Sequence, residues 1–291
     1  MPATFAGIHG KNGCAATSIR GRRLEDSILE LPGYNQLKQC RQGWMIYNKH
    51  DTYLGKSLEV YGEFSEGEVD AFRTLIPAGA IVVEVGANIG AHTMAFANIV
   101  GPQGAVIAYE PQRLLFLTLC GNVALNSHYH VYCHRQAVSD APGEMNVPVA
   151  DPNVDFSFGG FNIESYGNDG DPTPVVTLDM LEIGRCAFVK IDVEGMEAKV
   201  IAGAHQFIAK HRPTLYVEND RTEGRDELIA DIAALDYELY WHVVPLYRPN
   251  NCAGVAENIF EGAASFNMIC VPREKEFVIH GLNRIETTAS A

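Results

Sequence analysis

Little in this 291-residue chain would tie it to a bilayer or to a polyanion. No apolar run is long enough to cross a membrane. The first residues, MPATFAGIHGKNGCAATSIRGRR, lack the apolar segment of a signal peptide. A soluble, cytoplasmic protein with no membrane partner is expected. Positive charge is also scarce: 22 Lys+Arg stand against 36 Asp+Glu, a formal charge of −14. Such a surface repels a polyphosphate backbone, which argues against nucleic acid as a partner. The seven cysteines (Cys14, Cys40, Cys120, Cys133, Cys186, Cys252, Cys270) are scattered and odd in number, with no CxxC. They fit reduced, mostly buried thiols better than a disulfide framework or a zinc site.

What the chain does have is an alternation of strands and helices around Ile81 to Phe96, IVVEVGANIGAHTMAF. A β-branched run meets Gly86 and Gly90, and a helix starts at Thr93. This is a strand, a glycine turn and a helix N-terminus, a unit that lets a ligand approach the backbone. Before it, residues 1–40 read as a flexible arm through which a homodimer could pack. Residues 41–76 read as a hairpin and a helix. Ser65 and Glu68 form a capping box there, and Val69, Phe72 and Leu75 form a stripe that ends before Pro77. After it come AVIAYEP, HVYCHRQAV, AFVKIDVEG, PTLYVEND, YELYWHVV and SFNMICVP as strands, with helices between, among them Ala198 to Ala209. That rhythm predicts a doubly wound α/β domain over residues 77–273 and a tail over 274–291. Residues 151–174, with Phe156, Phe158 and Phe161, read as an irregular insertion that could line an acceptor pocket or be pinned by its aromatics.

The glycine motif has the form E-x-G-x-x-x-G, without the third glycine of the dinucleotide fingerprint, and places Glu84 at its head. A carboxylate there opposes a pyrophosphate but can hold an ammonium group. Glu110 closes the next strand, where a carboxylate can accept hydrogen bonds from both ribose hydroxyls of a nucleoside. Asp192 and Glu194 follow the strand FVKI, and Glu218 and Asn219 end its neighbour. Carboxylates at adjoining strand ends converge on one crevice, although acids there also cap helices. His128, His130 and His134, with Cys133, lie along or near one strand and read as a solvated sheet edge rather than a metal site.

The segments VVEVGANIGAHT, AYEP, QAVSDAPGE, LDML, FVKIDVEGMEAKVIAGA and LYVEN, in that order, resemble the FkbM family of S-adenosylmethionine-dependent methyltransferases. The resemblance runs from about Gly62 to Pro272. It implies a Rossmann-like class I methyltransferase fold: a seven-stranded, mostly parallel sheet with the last strand antiparallel, plus the N-terminal extension. It further implies O-methylation of a sugar, glycan or natural product. By position, Glu84, Gly86, Asn88, Gly90 and Thr93 would hold the methionine end of the cofactor, Glu110 the ribose, and Ala137 with its neighbours the adenine. His92 receives no role. Asp192 would also face the cofactor, and Asp192, Glu194 and Glu218 are the candidate catalytic carboxylates, Asp192 first. Asp192, Glu218 and Asn219 resemble the Mg²⁺ ligands of catechol-type O-methyltransferases, hard oxygen donors suited to that ion. The rival readings are a nicotinamide-dependent oxidoreductase of similar fold and a non-catalytic nucleotide-binding module.

Overall fold

A computed structural model describes residues 29–160, 169–275, 279 and 281–287. The arm expected over the first residues lies, up to residue 28, outside the described residues, as do Cys14 and Phe161. The described chain opens with an antiparallel sheet of β1 (Leu29–Glu30), β2 (Asn35–Cys40) and β3 (Gly43–Asn48). The hairpin therefore starts at Asn35, before residue 41. Its polar sequence NQLKQC conceals a strand whose Lys38 is buried and donates to the Glu59 carbonyl.

Helices α1 (Leu54–Tyr61) and α2 (Glu66–Leu75) follow. The capping box does not form: Ser65 has φ 41° and its hydroxyl donates to Glu68 Oε1 at 2.6 Å rather than to a helix amide. Glu68 is itself buried and needs that donor.

The main domain then runs β4 (Ile81–Val85), α3 (Ala91–Val100), β5 (Ala105–Tyr109), α4 (Arg113–Leu125) and β6 (Val131–His134). A small side sheet of β7 (Ala137–Val138), β8 (Gly143–Val147) and β9 (Asp171–Val176) interrupts it. HVYCHRQAV is thus two strands, because Ala137 and Val138 leave the main sheet to pair with Val175 and Val176. The end of the insertion expected to be irregular supplies β9. The main rhythm resumes with β10 (Cys186–Ile191), α5 (Glu197–Ala202), α6 (His205–His211), β11 (Thr214–Glu218), α7 (Arg225–Ala234), β12 (Tyr237–Pro245), β13 (Ala264–Pro272) and β14 (Asn283–Arg284). The helix expected from Ala198 to Ala209 breaks at Gly203, where a Cβ would lie 2.1 Å from the Ser139 carbonyl oxygen.

The main sheet has the order β14-β12-β13-β11-β10-β4-β5-β6. Strands β6, β5, β4, β10 and β11 are parallel, and β13 is antiparallel to both β11 and β12. This is the expected seven-stranded sheet with its last strand antiparallel, extended by the two-residue β14. One face packs Val82, Val106, Phe188, Tyr216 and Ile269 under α2 and α3. The other packs Val83, Val189, Leu215 and Cys270 under α5, α6 and α7. Among the described residues no helix is long and apolar enough to cross a membrane.

The turn after β4 makes a close contact, but with the protein itself. Gly86 has φ +86°, and a Cβ there would lie 1.7 Å from the Asp192 carbonyl oxygen; one at Gly90, φ +90°, would lie 2.7 Å from Leu119 Cδ1. The glycines thus let β4 and α3 pack against β10 and α4. Gly86→Ala combines a left-handed φ with a backbone clash and is expected to cost about 2–4 kcal/mol. An unchanged urea midpoint would contradict this.

Candidate active site

The period-two alternation of strands decides which side chains meet. Glu84, Lys190 and Tyr216 stand side by side in register on β4, β10 and β11, all on the face under α2 and α3. One pleat further toward the carboxyl ends, Asp192 and Glu218 follow on the same face, and Glu218 is in register with Asn267, itself opposite His242. Above these rows a 610 Å³ cavity opens, lined by Glu68, Glu84, His92, Glu110, Ala137, Lys190, Asp192, Glu194, Glu218 and Asn267 among others. It lies at the carboxyl ends of the parallel strands, where open α/β sheets bind ligands.

Lys190 is its electrostatic centre. The side chain is 2% exposed and Nζ donates to Asp192 Oδ2 at 2.6 Å. Burial alone would lower its pKa, but Asp192, Glu68 and Glu84 hold it above the usual lysine range. Burial pushes Asp192 up as well, yet Lys190 overrides this and leaves the carboxyl below its usual value. Around this cation the acids are in surplus. Burial pushes Glu84 up to about 8, against the pull of Lys190 and of the Thr93 hydroxyl, which donates to Glu84 Oε2 at 2.5 Å. Burial likewise raises Glu68. His92 is pushed down to about 3 by burial and by Lys190, so it is neutral, and its 3.9 Å approach to Glu68 is no ion pair.

Glu110 ends β5 with one oxygen accepting from Asn88 N at 2.8 Å and the other from Gln112 N at 2.9 Å. Each oxygen keeps lone-pair capacity for a further donor. Burial raises this carboxyl to about 7 despite the two amides. Asn88, at φ 52°, lends its amide to Glu110 and its side-chain oxygen to Ile89 N.

Asp192, Glu194 and Glu218 offer oxygens that lie within 4.8 Å of one another. Glu194, at φ 57°, accepts from Arg221 at 3.0 Å; burial, Asp192 and Asp220 raise it to about 7. Glu218 is raised well above its usual range by burial and then by Asp192, Glu194 and Asp220. Its Oε2 receives no donor from the described protein, and it bonds Asp192 only when one of the two carries a proton.

The family model for the methyltransferase FkbM domain matches residues 84–239, which contain Glu84, Glu110, Lys190, Asp192, Glu194, Tyr216 and Glu218 but not Glu68, His242 or the β13 residues. The chain belongs to the FkbM methyltransferase family. A methyltransferase assignment displaces the oxidoreductase reading. Among solved structures, a methyltransferase FkbM from Methylobacillus flagellatus KT is 17% identical over 67% of this chain and 44% of its own, with a TM-score of 0.45. This chain therefore spans less than half of that protein. Fibrillarin from Aeropyrum pernix, solved with natively bound S-adenosyl-L-methionine, is 13% identical over 84% of this chain and 97% of its own, with a TM-score of 0.41. M. jannaschii TYW2, solved in complex with AdoMet, is 14% identical over 83% of this chain and 87% of its own, also at 0.41. No curated protein matches the chain.

In this FkbM methyltransferase the expected cofactor residues Glu84, Gly86, Asn88, Glu110 and Ala137 all line the cavity, while Thr93 is reached through Glu84 and Gly90 packs on Leu119. Asn219 does not join Asp192 and Glu218. Consecutive residues of a strand point to opposite faces, so its amide turns to Met268 Sδ at 3.4 Å and to the Arg225 carbonyl at 3.5 Å, while Glu194 joins the acids instead. Residues that the sequence left out of the site also enter: Lys190 and Asn267, without any role, and Glu68, read only as part of a capping box. For Lys190 a signal existed, since it stands two residues before Asp192 and must share its face. His128, His130 and His134 sit on or beside the edge strand β6, but the edge is not solvated at His130, which is buried with its ring bonded to the Ala97 carbonyl, while His134 stacks on Tyr109. Phe156 and Phe158 pack with each other and with the cluster around Tyr47 and Met94, which favours the pinned loop.

Proposed function

We propose that the chain binds S-adenosylmethionine in the strand-end cavity and methylates a hydroxyl of a small molecule or glycan. The observation that carries this reading is the joint placement of Glu84 and Glu110 on one cavity whose acids outnumber its cations. The cofactor fits: its cationic end offsets the surplus charge beside Glu84, and its ribose hydroxyls suit the free lone pairs of Glu110. Bound there, it supplies an activated methyl group. The protein's share is to align the acceptor, exclude water and take a proton.

Of the carboxylates, Asp192 is the poorest proton acceptor, because Lys190 already holds it ionised and paired. Glu218, raised and without a donor on Oε2, suits the base role better. A Mg²⁺ ion would find its ligands in Asp192, Glu194 and Glu218, but Lys190 and Arg221 already engage two of these. The base reading is preferred for that reason.

Glu110→Ala is expected to weaken S-adenosylmethionine binding about 10²-fold, the effect of losing charge-assisted hydrogen bonds. Equal affinity in calorimetry would contradict the ribose role. For the acceptor atom, methyl-labelled cofactor incubated with a panel of glycosides and polyhydroxylated natural products should yield methyl ethers. Label recovered on nitrogen would contradict O-methylation.

A further inference from the structure

One buried amide on the cavity wall keeps an unused donor. Asn267 is 2% exposed, lines the cavity, and its Nδ2 has no hydrogen-bond partner. It lies on β13 directly opposite Glu218 of β11. Side chains of such a pair leave the sheet on the same face with Cβ atoms about 4.5–5.5 Å apart. Glu218 Oε2 also has no donor. A buried donor and a buried acceptor atom thus stand on neighbouring residues of one wall, Asn267 Nδ2 and Glu218 Oε2, each without a partner of its own, while Glu218 shares a proton only with Asp192.

Buried polar groups are almost always hydrogen-bonded, so such a pair points to a ligand. The ligand group must accept from the amide and donate to the carboxylate. A hydroxyl does both with one atom. A metal ion or an ammonium would serve Glu218 and leave the Asn267 N–H unmatched. A carboxylate or phosphate would serve Asn267 but meet Asp192, Glu194 and Glu218. We propose that Asn267 and Glu218 together form the subsite for the acceptor hydroxyl, an inference that rests on the methyl-transfer reading above. As the oxygen donates a lone pair to the methyl carbon, the carbon–sulfur bond breaks with its pair left on sulfur, and the hydroxyl proton passes to Glu218. The Asn267 amide holds the oxygen through the transfer. The products are a methyl ether, a neutral thioether and a protonated carboxyl group, so the charge of the sulfonium is consumed together with that of Glu218.

The test uses crystals of the full chain with S-adenosylhomocysteine, soaked in ethylene glycol as an uncharged hydroxyl probe. One hydroxyl is expected within hydrogen-bond distance of both Asn267 Nδ2 and the Glu218 carboxylate. It should be absent in Asn267→Leu and in the nearly isosteric Asn267→Asp, which keeps the shape but removes the donor, with the nucleoside still in place in both. A diol ordered elsewhere in the cavity, a diol retained in both variants, or a cation bound between Asp192 and Glu218 would overturn the hydroxyl site alone. Failure of S-adenosylhomocysteine to bind would instead remove the methyl-transfer reading and this inference with it.

Discussion

Lys190→Met is expected to destabilise the protein by about 3–5 kcal/mol, the cost of leaving buried charges without their partner. Lys190 is 2% exposed and is the cation shared by Asp192, Glu68 and Glu84. Its loss leaves the ionised Asp192 without its partner in a poorly solvated site and removes the cation that favours the charged forms of Glu84 and Glu68. Asp192 must then stay charged unpaired or take up a proton, and both routes raise the energy of the fold. The double variant Lys190→Met, Asp192→Asn removes the closest of the three and should recover a substantial part of the loss. Denaturant midpoints measure both. A loss below about 1 kcal/mol, as for an exposed ion pair, would show that Lys190 is not the centre of the cluster.

The second large effect is on pH. Glu84 and Glu110 carry folded-state pKa values of about 8 and about 7, raised from a usual 4.5. Between 4.5 and about 8 the folded protein therefore binds more protons than the unfolded chain. The contribution of these two groups to stability must fall as pH rises through that window and level off above it, and Glu194 and Glu218, also raised, act in the same direction. Asp192, shifted the other way, adds stability above its unfolded value and loses it only in acid.

A cationic ligand reverses the trend, because it favours ionised Glu84. Its affinity should rise tenfold or more between about pH 5.5 and pH 7, a range in which the ligand's own amino group stays mostly protonated. The checks are thermal melts of the free protein and calorimetric titrations with S-adenosylmethionine across this range. Constant affinity would separate Glu84 from cofactor binding.

Much of this arrangement is legible in the sequence because a strand end is a recognisable place. A β-branched run that stops at a glycine or an acid marks where a parallel strand leaves the sheet, so Glu84, Glu110, Asp192 and Glu218 could be assigned to one crevice. What stays hidden depends on register. Glu218 and Asn219 are neighbours in sequence and opposites in space, a consequence of alternation that overrides their similar chemistry. Asn267 lies 49 residues after Glu218, and only the antiparallel pairing of β11 with β13 brings the two together. The capping box at Ser65 fails for a related reason: the burial of Glu68 beside Lys190 claims the hydroxyl that local sequence assigns to the helix. The polar strand Asn35–Cys40 escapes pattern reading because its buried lysine is satisfied by a distant carbonyl.

The central claim, that the strand-end cavity is a site for S-adenosylmethionine, is tested most directly by isothermal titration of the full chain with that compound. One cofactor bound per chain is expected, with binding sharply weakened by Glu110→Ala. No heat of binding to folded protein, or binding that Glu110→Ala leaves unchanged, would contradict the account.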